Sequence, residues 1–119
     1  MRDTDIKFLK LRVLVYFDTA YEAFIAQCLE TGGVVTADDV DTVMDMMGEL
    51  LEDEVGYAIE HQNLTNLFST PAPVEVWTKW YKTAKEGNAM LEKTISINAK
   101  ELRLDEQEVK AGVEMARAA

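Results

Sequence analysis

The sequence predicts an all-α protein, folded as a single small helical bundle of three to five helices. Three observations predict this fold class: apolar residues recur at helical spacing, a helix-capping sequence stands at residues 36–39, and the clearest breaks are Gly32-Gly33 and Ser69–Pro73. With 119 residues, 48% of them hydrophobic and 29% charged, the chain fits one globular domain over residues 1–119, with a break at about 69–73.

The first segment, residues 6–29, is predicted to be a long helix. Its apolar residues follow a spacing of three or four, and Gly32-Gly33 would end it because glycine readily adopts left-handed backbone angles. An extended alternative stays open for residues 6–17, where every second residue is apolar: Leu9, Leu11, Val13, Val15 and Phe17.

The second segment carries the strongest local helix signal. Thr36 is the expected N-cap, acidic residues follow it in the first turn, and the helix is expected to reach about His61. One face is apolar and consists of Val40, Val43, Met44, Met47, Leu50, Leu51, Val55 and Ala58. Joined by a short Gly-containing turn, the first two segments predict a long N-terminal antiparallel helix hairpin.

Two further helices are predicted in the second half of the chain. Thr70 and Pro71 suit the start of a third helix, whose apolar stripe runs on to Ile95, although residues 94–97 could instead be extended. Asp105 begins a capping sequence for a short last helix.

Charge is distributed unevenly along the chain. The formal net charge is −10, and the stretch from Val13 to Thr78 holds thirteen acidic residues and no Lys or Arg. This balance argues against direct binding to nucleic acid or to an anionic membrane, because both need clustered cations. No apolar run is long enough for a signal peptide or a membrane span, which predicts a cytoplasmic protein.

The acidic residues of the second helix gather on the side opposite its apolar face, which predicts a partner-binding surface. The residues expected to contact the partner are Asp38, Asp41, Asp45, Glu49, Glu52, Asp53 and Trp80. Trp80 is included as an interface anchor, with core packing as its alternative. The acidic face could also be merely solvated, or neutralised within the chain or by a second copy through Lys79, Lys82, Lys93 and Lys100.

Catalytic and metal-binding patterns are incomplete. Asp39-Val-Asp41 begins like a calcium loop, but Met44 and Leu50 stand where such a loop needs Gly and Glu. Cys28 lies on the apolar stripe and His61, the single histidine, at a helix end, so neither is expected to act as a nucleophile or ligand. We therefore expect no metal, no cofactor and no enzymatic activity.

The sequence thus predicts a non-enzymatic interaction module, such as an inhibitor, an immunity-type protein or an adaptor. It would dock its acidic helix onto a basic surface of a partner protein. One such partner is a nucleic-acid-binding enzyme, for which the carboxylates would mimic the phosphates of the nucleic acid. Small phage-encoded inhibitors share this acidic composition, and that analogy is compositional. The alternatives are a structural homo-oligomer and a small carboxylate-metal enzyme built on a pair such as Glu49 and Glu52.

Overall fold

In the part of the chain that the structure describes, the protein forms a five-stranded mixed sheet with three helices, so the predicted all-α helical bundle is wrong. The computed structural model describes residues 8–61, 63–85, 90–98 and 108–117. The elements are, in chain order, β1 Phe8–Asp18, β2 Ala23–Cys28, β3 Val34–Ala37, α1 Val40–Glu60, α2 Leu64–Leu67, α3 Val74–Lys85, β4 Met90–Asn98 and β5 Glu108–Arg117.

The sheet has the strand order β3-β2-β1-β5-β4, with β1 at its centre. On one side β1 pairs antiparallel with β2, where Val13 lies opposite Cys28. On the other side β1 pairs in parallel with β5, where Val13 lies opposite Met115. The remaining pairs, β2 with β3 and β4 with β5, are antiparallel.

The central strand separates two cores because its side chains alternate between the two faces of the sheet. Leu11, Val13 and Val15 pack on one face with the buried side of α1, including Met47. Leu14 packs on the other face with Leu29, Trp80 and Ala116, together with partly buried residues of α3. Helices α1 and α3 therefore cover opposite faces of the sheet.

This double burial explains why the first segment resembled a helix. A strand covered on both faces is apolar at successive positions, so its period of two is hard to separate from a helical stripe. Residues 6–29 instead provide the β1–β2 hairpin, and the strand alternative for 6–17 is confirmed where the structure describes it. The hairpin turn has neither Gly nor Pro: the Asp18 carboxylate accepts backbone hydrogen bonds from Ala20 and Tyr21, and Glu22 has a φ of +51°.

Helix α1 begins later than predicted and ends where expected. Its N-cap is Asp39, whose carboxylate accepts from the Thr42 backbone N–H at 2.7 Å, whereas Thr36 lies in β3 opposite Ile25. That hydrogen bond to the ionised form lowers the pKa of Asp39. The C-cap is His61, and the predicted apolar face is the one that packs on the sheet.

The second half of the chain departs further from the prediction. Helix α3 starts at Val74 rather than near Thr70 and ends at Lys85. The extended alternative for 94–97 is confirmed within β4. The predicted last helix is replaced by β5, while its expected cap, Asp105, lies outside the described residues. None of the three helices in the described ranges has the length and apolar character of a membrane span.

Candidate partner-binding face and adjoining cleft

Helix α1 carries an exposed row of carboxylates on the side turned away from the sheet. We call this row the acidic face, and it consists of Asp41, Asp45, Glu49, Glu52 and Asp53, all of them exposed. Asp38 is exposed as well, but it precedes the N-cap and lies outside the helix. From Asp41 to Asp53 the face spans about 18 Å at a rise of ~1.5 Å per residue.

The carboxylates of the acidic face repel one another along the helix. Asp41 and Asp45, Asp45 and Glu49, and Glu49 and Asp53 are spaced i,i+4, while Glu49 and Glu52 are spaced i,i+3. Each like-charge pair costs about 0.2–0.5 kcal/mol, so the four cost about 1–2 kcal/mol together. The repulsion between these carboxylates therefore lowers the stability of the helix.

Within the described residues, no cation of the chain neutralises the acidic face. The ion pairs formed among the described residues are Lys10 with Glu114 and Arg12 with Glu30, and neither involves a residue of α1. The four lysines that the sequence offers to neutralise the acidic face do not lie together on one helix. Lys93 lies in β4, and Lys100 lies outside the described residues. Lys79 and Lys82 lie on α3, on the opposite side of the sheet from α1.

Trp80 is part of the core and does not line the acidic face. It is 3% exposed and packs with Leu14 and Leu29 on the α3 side of the sheet. Its role as an interface anchor is thus corrected to core packing, because α3 turns Trp80 inward. On the same helix Tyr81 is 55% exposed and Trp77 is half-buried.

A cleft of about 550 Å³ opens beside the C-terminal half of α1. It lies where α1, α2, the β2–β3 turn and the segment leading to α3 meet. Its lining residues are Thr31, Asp53, Glu54, Tyr57, Ala58, Asn63, Asn66, Leu67, Ser69 and Thr70. No local sequence pattern marks this cleft, since Thr31 of the β2–β3 turn lies far along the chain from residues 53–70, which supply the other walls.

Two glycines let the walls of the cleft approach closely. Gly32 has a φ of +76°, and a Cβ at that position would lie 2.3 Å from the Thr70 carbonyl oxygen. A backbone hydrogen bond from Ala72 to Leu29, 2.9 Å long, holds the same segment against the β2–β3 turn. At Gly33 an added Cβ would lie 2.9 Å from Glu54 Oε1, so this carboxylate rests directly on the turn.

Glu54 is the partly buried carboxylate of the cleft. Burial raises its pKa, because removing the group from water disfavours its charged form. Its neighbour Asp53 is exposed and also belongs to the acidic face, so the cleft and the face share a border. The aromatic ring of Tyr57 is 65% exposed and stacks on His61 with 3.9 Å between ring centroids.

The remaining candidate residues are placed as the sequence predicted. Cys28 is a fully buried free thiol whose pKa is raised by burial, and His61 is exposed at the end of α1. Met47 is buried in the core and Met46 is 39% exposed. In the described part of the chain, no group of three or more His, Cys, Asp or Glu side chains is arranged to hold a metal ion.

Comparison of the chain with protein-family models, with curated proteins and with solved structures found no match in any of the three.

Proposed function

We propose that the protein is a non-enzymatic interaction module that docks its acidic face onto a basic surface of a partner protein. The observation that carries this proposal is the row of five exposed carboxylates on α1, which no cation of the described residues neutralises. Such a field accelerates association with a cationic surface and disfavours anionic partners. A cytoplasmic location belongs to the same proposal and is supported by the free thiol of Cys28.

The spacing of the charges supports a nucleic-acid-binding protein as the partner. Five carboxylates over about 18 Å of helix axis place one charge on average about every 4.5 Å. One strand of B-DNA carries a phosphate about every 3.4 Å along its axis. A groove that binds phosphates would therefore find a comparable row of negative charge on α1, and the protein would act as an inhibitor by occupying it.

The test is quantitative capture of host proteins by two charge-matched variants. Asp41→Asn/Asp45→Asn/Glu49→Gln removes three of the five charges of the acidic face, and Asp18→Asn/Glu22→Gln/Glu75→Gln removes three charges elsewhere. The proposal expects a basic partner to be recovered by the wild type and the control variant and lost by the acidic-face variant. Equal recovery by both variants would contradict it.

A second candidate, a structural homo-oligomer, is favoured by the charge on α3. Lys79, Lys82 and Lys85 are exposed on this helix, across the sheet from the acidic face. Two copies could associate head to tail through these opposite charges. This candidate expects a complex that dissociates as salt is raised and that Lys82→Glu/Lys85→Glu prevents. A monomer at low and high salt in analytical ultracentrifugation would exclude it.

A further inference from the structure

The cleft beside α1 offers a cation several acceptors at different depths. Asp53 and Glu54 contribute carboxylates, and the two asparagines and four hydroxyl-bearing residues of the lining contribute neutral oxygens. Within the described part of the chain, neither carboxylate forms an ion pair. The cleft is therefore suited to a ligand group that is positively charged and rich in hydrogen-bond donors.

The position of Glu54 distinguishes the cleft from an exposed cluster of acidic residues. Its carboxylate is half-buried and lies against Gly33, where the lack of a side chain leaves room for it. A buried carboxylate without a partner is costly, and a cation bound in the cleft would offset that cost. Thr31, which is 9% exposed, lies at the same wall, where its Oγ1 accepts a hydrogen bond from the Gly33 backbone N–H and fixes the turn beside Glu54.

The shape and composition of the cleft fit a guanidinium better than an ammonium. A volume of about 550 Å³ is ample for one long side chain. A guanidinium presents five N–H donors in one plane, which can reach a carboxylate and neighbouring amide and hydroxyl oxygens together. The exposed ring of Tyr57 adds a surface on which a planar cation can stack.

We propose that this cleft is a socket for an arginine side chain of the basic partner. The inference rests on the proposed function, since Asp53 joins the socket to the acidic face and a partner docked on α1 would reach it. Glu54 holds the guanidinium, Asp53 attracts it at the entrance, and the segment at Ser69–Thr70 closes the far side. The socket orients the partner, whereas the acidic face accelerates its approach.

The test uses Nα-acetyl-arginine amide as the probe, titrated into the full chain and followed by amide chemical shifts in NMR. Glu54→Gln removes the charge of the socket, and Glu75→Gln makes the same chemical change at an exposed position of α3, across the sheet from the cleft. The corresponding lysine and citrulline amides test the requirement for a planar cation, because citrulline has nearly the same shape without the charge.

The socket predicts shifts centred on residues 53–57 and 66–70. It also predicts at least tenfold weaker binding for Glu54→Gln and less than twofold change for Glu75→Gln. Equal binding of the lysine or citrulline probe, or equal loss in both variants, would overturn it. The probe binds without any partner protein, so this titration tests the socket alone. The capture experiment tests the docking of α1 separately, and the failure of one proposal can therefore be told from the failure of the other.

Discussion

Arg12 and Glu30 are joined by two hydrogen bonds, each 2.7 Å long. The Arg12 side chain donates from Nε to Glu30 Oε2, and the Arg12 backbone N–H donates to Glu30 Oε1. On the same face of the sheet, the guanidinium also donates to the Tyr81 hydroxyl and lies over the Trp77 ring. The fold thus pairs this carboxylate on the α3 side of the sheet, whereas the carboxylates of α1 form no ion pair with any described residue.

Removing the Glu30 carboxylate should destabilise the protein. Glu30→Ala leaves Arg12 partly buried without its charged acceptor, and we expect a loss of about 2–3 kcal/mol in the free energy of unfolding. Glu30→Gln keeps an acceptor for the Arg12 backbone N–H and should lose less. Urea denaturation of the three proteins measures both values, and equal stability of wild type and Glu30→Ala would show that the pair is unimportant.

Neutralising the acidic face should stabilise the fold. The variant Asp41→Asn/Asp45→Asn/Glu49→Gln disrupts all four like-charge pairs, which relieves about 1–2 kcal/mol of repulsion. It also removes the Asp41 charge from the first turn of α1, where that charge stabilises the helix by about 0.3–1 kcal/mol, so the free energy of unfolding should rise by about 1 kcal/mol. Added salt should narrow the difference, because screening weakens the repulsion. Denaturation at low and high salt checks this prediction. A destabilised variant would mean that these carboxylates contribute to folding.

Glu54 should make stability depend on pH with a sign opposite to that of a salt-bridged acid. Its pKa is raised on folding, so its contribution is favourable below the ordinary value of 4.5 and is lost as the pH rises through the folded value. Glu54→Gln should therefore have the higher Tm at pH 7, and the difference should shrink as the pH falls through the folded pKa and be absent below 4.5. A Tm difference that does not change with pH would contradict the burial of this carboxylate.

Two glycine substitutions should have opposite effects. Gly32→Ala introduces a side chain at positive φ and into contact with the Thr70 carbonyl, so we expect a loss of about 2 kcal/mol or more. Gly56→Ala meets nothing within 4 Å in the interior of α1, so it should stabilise by about 0.5–1 kcal/mol. Thermal melts of both variants measure these changes, and the result for Gly32→Ala tests the close contact between Gly32 and the Thr70 carbonyl at the wall of the cleft.

Helix α1 could be predicted from the sequence because its signals are local. Its apolar and acidic positions alternate with helical spacing over 21 residues, and its cap and end lie in the same short stretch. Even so, the sequence favours Thr36 as the N-cap, because a threonine followed closely by two aspartates fits the capping pattern as well as Asp39 does. Asp39 takes the role while Thr36 pairs with Ile25 in the sheet.

The sheet and the cleft could not be predicted because both depend on contacts between distant segments. Val13 has β2 on one side and β5 on the other, a pairing that the pattern around Val13 does not encode. Likewise, Thr31, Glu54 and Thr70 become neighbours only when the β2–β3 turn, α1 and the segment before α3 come together. The acidic face was accessible to prediction because one helix carries it entirely.

The central claim is that the acidic face drives association with a basic partner. The most direct measurement is the association rate constant of the purified partner, determined by stopped flow over a range of ionic strength. At low salt, Asp41→Asn/Asp45→Asn/Glu49→Gln should associate about tenfold more slowly than wild type, with a weaker salt dependence, while Asp18→Asn/Glu22→Gln/Glu75→Gln should remain close to wild type. Equal rates and salt dependence for the two variants would contradict the claim.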